Sequence, residues 1–188
     1  IYYSKSINYG YSWDGPDIVN NIEEKVTVSE PNIAVNSEGN IAIAYTKGGD
    51  NTSSFICLAH RCNSNWLEDT ISKGMPGSIR PLITYDNNGV LNCFWFHFGP
   101  YGNTYFMRID NDFNLSQVEC LLCNEDMNAV QGNVVYDKNN WLHFISLSNP
   151  YLHQIEDTRA VYYVRNKDAC EPQKIFGSTQ CAKGFIEL

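Results

Sequence analysis

A repeat of about fifty residues constrains this chain more than any other feature. Pro31-Asn32-Ile33-Ala34-Val35-Asn36-Ser37-Glu38-Gly39-Asn40-Ile41-Ala42-Ile43-Ala44-Tyr45 returns as Pro81-Leu82-Ile83-Thr84-Tyr85-Asp86-Asn87-Asn88-Gly89-Val90-Leu91-Asn92-Cys93-Phe94-Trp95. It returns again as Gly132-Asn133-Val134-Val135-Tyr136-Asp137-Lys138-Asn139-Asn140-Trp141-Leu142-His143-Phe144-Ile145. The starts fall at 31, 81 and 132, offsets of 50 and 51. In each copy a short apolar stretch meets Asn or Asp, then Gly or Asn three places later, then a longer apolar stretch. Asn36, Asp86 and Asp137 with Gly39, Gly89 and Asn140 supply hairpin turn chemistry, a side chain that ties back to the backbone and a residue tolerant of positive φ.

A second element follows each hairpin. Phe55-Ile56-Cys57-Leu58-Ala59-His60-Arg61, Thr104-Tyr105-Phe106-Met107-Arg108-Ile109 and Val161-Tyr162-Tyr163-Val164-Arg165 are short aromatic strands, each with a basic residue near its end. Ile1-Tyr2-Tyr3-Ser4-Lys5 belongs to the same series. Fourth strands fit at 66–72, 117–122 and 173–176, and no segment carries a helical period of apolar residues. Four antiparallel strands per unit at this period predict an all-β fold built of propeller blades, with an antiparallel sandwich as the alternative. The expected segment, 1–188, comprises a partial blade over 1–19 and blades over about 31–73, 81–122 and 132–177. A further strand starts at 184–188. About three full blades fall short of the usual four to eight. The remaining blades come either from a longer parent chain or from closure of a small ring through the termini. Ile1, with neither an initiator Met nor a leader before it, fits a processed or excerpted chain.

Ser6-Ile7-Asn8-Tyr9-Gly10-Tyr11-Ser12-Trp13 reads as a tight turn leading into an aromatic anchor. The order Ser6-x-Asn8-x-Gly10-x-Ser12-Trp13 resembles the Asp-box, or BNR repeat, of sialidases and related β-propellers, with Asn for Asp and Ser for Thr. The resemblance implies a turn between the two outer strands of a blade, with Trp13 anchored between sheets. A Trp13→Ala change would then cost on the order of 3–5 kcal/mol. An extracellular or cell-surface setting is also what the resemblance implies. Trp66, 11 residues after Phe55, stands where Trp13 stands after Ile1 and reads as the same anchor.

Composition narrows the partners. The formal net charge of −8 disfavours phosphate backbones and anionic membranes, so no nucleic-acid partner is expected. No apolar run reaches the length of a membrane span. An aromatic content of 13% suits pleated faces. The seven cysteines cannot all pair internally. Cys120-Leu121-Leu122-Cys123 lacks the second pair or the histidines that zinc needs, so the cysteines read as small buried hydrophobes. No metal and no cofactor is expected.

The blade geometry sorts the loops. Turns between first and second strands, and between third and fourth, share one face. Second-to-third loops and the connections between blades share the other. The first set is short and uniform. The second includes 47–54, 97–103 and 149–159, with blade connections at 20–30, 73–80 and 124–131, and is the better place for a ligand. There the candidates are Arg80, next to an inner strand and the axis, His97 and Tyr101 on a Gly/Pro-shaped loop, and His153, Glu156, Asp157 and Arg159 on the longest loop. Aromatic faces for C–H surfaces and polar groups for hydroxyls suit a sugar.

The resemblance implies a catalytic set that the residues do not supply. Sialidases use a Tyr nucleophile activated by Glu and hold the substrate carboxylate with three Arg, a bidentate task. Five Arg occur, at 61, 80, 108, 159 and 165, and three of them recur as a strand feature. Only Arg80 and Arg159 are left, and Arg80-Pro81 lacks the residue that would make the family's Arg-Ile-Pro. No Tyr–Glu pair or acid/base Asp matches. A non-catalytic segment recognising a glycan or a protein therefore leads. The alternatives are part of a glycoside hydrolase completed outside this chain, and a purely structural assembly module.

Overall fold

The computed structural model describes residues 1–20, 26–50, 52–62, 65–98, 103–122, 129–148, 160–166 and 173–177. The described residues contain no helix, and hence none long and apolar enough to cross a membrane. A two-stranded sheet pairs β1 (Tyr2–Tyr3) with β2 (Asp17–Ile18). Three four-stranded antiparallel sheets follow. The first holds β3 (Val28–Val35), β4 (Ile41–Lys47), β5 (Phe55–Cys62) and β6 (Asn65–Thr70). The second holds β7 (Ser78–Tyr85), β8 (Leu91–His97), β9 (Asn103–Ile109) and β10 (Glu119–Leu122). The third holds β11 (Ala129–Tyr136), β12 (Leu142–Ser148), β13 (Ala160–Asn166) and β14 (Gln173–Gly177). Strand order is sequence order in every sheet, so each is a simple meander.

The sheets stack face to face, and the alternation of each strand fills both interfaces. Ala42 and Ala44 of β4 meet Leu91, Cys93 and Trp95 of β8 in one cluster. Ile43 and Tyr45 turn the other way and meet Ile1, Tyr3 and Val19. Phe94 and Phe96 leave the opposite side of β8 to pack with Leu142 and Phe144 of β12. A middle strand is covered on both faces, which is why 91–96 is buried throughout, polar Asn92 included. Inner strands converge as well: the Ile83 amide donates to Asn32 Oδ1 of the neighbouring sheet at 3.0 Å.

One turn is built four times. Asn36, Asp86, Asp110 and Asp137 each accept, through Oδ1, the amides two and four residues on, at 2.8–3.0 Å. The residue three places on takes positive φ: Gly39 (85°), Gly89 (82°), Phe113 (62°) and Asn140 (62°). The Asp110 copy joins the third and fourth strands and was not foreseen. Its Phe113 ring stacks on His60 of the preceding sheet, centroids 3.4 Å apart. Successive turns are laced together, with Asn87 donating from its amide to Asn140 Oδ1 (2.8 Å) and from Nδ2 to the Asp137 carbonyl (3.0 Å).

Ser6–Trp13 also closes through side chains. Asn8 Oδ1 accepts the Ser12 amide (2.9 Å), Ser6 Oγ accepts the Gly10 amide (2.8 Å), and Asn8 Nδ2 donates to Ser12 Oγ (2.8 Å). Three expectations need correction. Trp13 is not buried between sheets but 64% exposed, its ring lying near Gly10. Trp66, its counterpart, is half-buried because Tyr3 of the preceding sheet packs edge-on against it at 5.4 Å, whereas no described sheet stands on the matching side of Trp13. Arg61 is not the counterpart of Arg108 and Arg165: His60 is, by register, since Ala42, Asn92 and His143 pair with His60, Arg108 and Arg165. One residue of slip turns a side chain to the opposite face. Arg61 accordingly pairs with Asp17 at 3.2 Å and lies over the Tyr3 and Trp66 rings. Finally, the described cysteines are not all small buried hydrophobes. Cys57 and Cys93 are buried thiols pushed up by desolvation, Cys62 is exposed, and Cys120 is exposed and disulfide-bonded.

Candidate functional site

The inner strands start at the end of the stack away from the four tied turns. There β3 and β7 each bulge in the same way. Pairing skips from Ser29 to Asn32 and from Ile79 to Leu82, leaving Glu30-Pro31 and Arg80-Pro81 out of register. Both residues before proline are left-handed, Glu30 at φ 55° and Arg80 at φ 54°. Proline disfavours helical conformations in the residue before it, and a non-glycine held there costs on the order of 1–3 kcal/mol. Two matched outliers, fifty positions apart and side by side in space, call for a reason.

Part of it is a shared set of hydrogen bonds. Glu30 Oε2 accepts the Arg80 backbone amide (3.0 Å) and the Thr46 hydroxyl (2.9 Å), while Glu30 Oε1 accepts Arg80 Nε–H (3.2 Å). Thr46 Oγ1 also accepts the Arg80 amide at 3.1 Å. The left-handed turn at Arg80 aims its amide and guanidinium at one carboxylate across the sheet boundary. The ion pair alone does not repay the strain. With the Arg80 and Glu30 side chains 45% and 38% exposed, such a pair contributes about 0–1 kcal/mol.

A cavity of about 290 Å³ opens at this pair, lined by Glu30, Pro31, Arg80, Pro81, Leu82, Phe96 and Gly132. It draws on the inner strands of all three four-stranded sheets. Gly132 takes the place of the two prolines on β11, where a Cβ would come within 2.4 Å of the Ile145 carbonyl oxygen. Among the described residues the site offers one carboxylate, one guanidinium and a wall of proline, leucine and phenylalanine. Among the described residues no group of three or more His, Cys, Asp or Glu side chains is placed to hold a metal ion.

Of the residues expected at a ligand site, Arg80 lines this cavity, inside β7 rather than before it. His97 ends β8, where its ring meets Tyr105 edge-on at 5.9 Å, and is not among the lining residues. Tyr101, His153, Glu156, Asp157 and Arg159 lie outside the described residues. Glu30 was missed. Its signal was present, because Glu30-Pro31 and Arg80-Pro81 occupy the same place in successive repeats with opposite charge.

No family model and no curated protein matches this sequence. Solved structures do match in shape. A protein of unknown function from Dyadobacter fermentans superposes with TM-score 0.62 at 13% identity, over 84% of this chain and 56% of that one. The Hadza microbial sialidase Hz136 gives 0.59 at 13% identity, over 80% and 37%. A fucose lectin from Kordia zhangzhouensis, solved with methyl-fucoside, gives 0.53 at 11% identity, over 79% and 99%. The fold is a β-propeller segment. At these identities the likeness speaks for the fold alone. The chain spans about half the length of the first of these structures and less of the second. The cavity lies where the inner strands β3, β7 and β11 begin, at the end of the sheets opposite the turns that follow them; in a propeller the inner strands surround the axis.

Proposed function

We propose that this chain is a non-catalytic, sialidase-like propeller segment that recognises a glycan through its long-loop face. The observation that carries the reading is the axial cavity, where a guanidinium and a carboxylate sit against Phe96, Leu82 and two prolines at a pair of strained bulges. Sugar sites need this mixture, apolar surface for ring C–H groups and a few fixed polar atoms for hydroxyls. Likeness to a sialidase and to a lectin solved with methyl-fucoside supports a carbohydrate over a protein ligand. Catalysis finds less support. Glycoside hydrolysis calls for a pair of carboxyl groups or a Tyr–Glu nucleophile, and among the described residues Glu30 is the one carboxylate lining the cavity, already held by Arg80.

A glycan array probed with the wild type, Arg80→Ala and Tyr101→Ala tests the reading. Binding that Arg80→Ala abolishes supports the axial site; binding unaltered in both variants removes this face from consideration. Turnover of fluorogenic sialosides or other glycosides would instead favour a hydrolase completed by residues beyond this chain.

A further inference from the structure

We infer that the axial site selects an uncharged sugar residue and rejects acidic ones, because Glu30 occupies the guanidinium that would hold an acid. The inference rests on the glycan-binding reading and adds the ligand class. A carboxylate-binding site presents Arg forks to the ligand, two parallel N–H donors per carboxylate. Here one guanidinium N–H of Arg80 is already committed to a carboxylate within the protein. Arg80 Nε–H and the Arg80 backbone amide both point at Glu30, whose second oxygen also holds the buried Thr46 hydroxyl. An acidic sugar reaching Arg80 would place its carboxylate beside that of Glu30, and two like charges at such a range disfavour each other. Among the described lining residues the charges cancel, one against one, and the chain's net charge of −8 repels anions at longer range.

The rest of the lining points the same way. Pro31, Pro81, Leu82 and Phe96 offer apolar surface to the C–H face of a ring, and among the described residues Arg80 is the one cation in the lining. A volume of about 290 Å³ stands at the lower end of the ~300–1,000 Å³ range of ligand sites. One sugar ring fits that size better than a stretch of chain. The match is to a neutral monosaccharide or a neutral terminal residue, with Arg80 and Glu30 sharing its hydroxyls as donor and acceptor.

Matched pairs test this, because galactose and galacturonate, or glucose and glucuronate, differ only in the C6 carboxylate. Affinities are read by saturation-transfer NMR and calorimetry on the wild-type protein and on Glu30→Gln, a nearly isosteric change that removes the charge. The wild type should bind the neutral member at least about tenfold more tightly, the like-charge contact being the difference. Glu30→Gln should narrow or invert that ratio. In the wild type alone, the disadvantage of the acid should shrink as salt shortens the Debye length from ~10 Å at 0.1 M to ~3 Å at 1 M. This arm holds even if the variant does not fold. An acid bound as tightly as its neutral partner would overturn the inference and leave the glycan-binding reading standing. A ratio indifferent to both Glu30→Gln and salt would overturn it too. Absence of binding by every member of both pairs would overturn the reading beneath it.

Discussion

Two tryptophans, Trp95 inside a middle strand and Trp13 after a turn, give opposite expectations, and replacing each by alanine separates them. Trp95 is fully buried in the cluster between the first two four-stranded sheets, its ring 6.4 Å from that of Tyr105. Truncating such a residue costs about 3–5 kcal/mol, of which the aromatic pair accounts for ~0.5–1.5 kcal/mol. That is a large share of the ~5–15 kcal/mol typical of a whole domain. Trp13 is 64% exposed. About a third of a ~250 Å² side chain at ~25 cal/mol/Å² bounds its contribution near 2 kcal/mol, less once the unfolded chain's own burial is allowed for. Urea unfolding followed by far-UV circular dichroism, which does not depend on tryptophan emission, should show a midpoint loss at least twice as large for Trp95→Ala. Equal losses would mean that Trp13 is covered in solution and would refute the reasoning from its exposure.

Further outcomes follow from the same geometry. Gly132→Ala should destabilise by about 1–3 kcal/mol through overpacking, since the new Cβ would sit 2.4 Å from the Ile145 carbonyl oxygen; an unchanged urea midpoint would contradict that contact. Acid should weaken the fold in two windows. Burial lowers His60 below its ordinary 6.5, so the unfolded chain takes up the proton first and stability falls as pH drops below about 6.5. Hydrogen bonds to Thr52 and Ser53 hold Asp50 at about 2, and hydrogen bonds within their turns lower Asp110 and Asp137, so their contribution is present above 3.8 and is lost as pH falls toward 2. Thermal melts against pH read both windows, and His60→Phe should remove the upper one alone. Asp110→Ala should lower the melting temperature more than Asp110→Asn, which keeps the oxygen that accepts the two turn amides; equal shifts would deny that oxygen its role.

The sheet plan was legible because the turn chemistry is local. Asn36, Asp86 and Asp137 carry their own acceptor and a tolerant residue three places on, so two residues per turn specify a hairpin without help from the rest of the fold. Asp110 escaped notice because its left-handed position is Phe113, a residue the conformation normally excludes, held there with its ring against His60. The exposure of Trp13 was not legible, since a local pattern does not say whether a neighbouring sheet stands beside it. Arg61 misled through register, where one residue reverses the face. At the cavity, Arg80 stands inside β7 rather than before it, and its partnership with Glu30 was not legible, because it depends on two bulges that bring residues fifty positions apart together.

The most direct test of the central claim is a crystal structure of this protein with a neutral monosaccharide bound. The sugar should lie in the axial cavity, hydroxyls toward Glu30 and Arg80 and a C–H face toward Phe96 and Leu82. A sugar seated instead on the face of the tied turns at 36–40, 86–90 and 137–141, or an axial cavity left empty while sugar binds elsewhere, would contradict it.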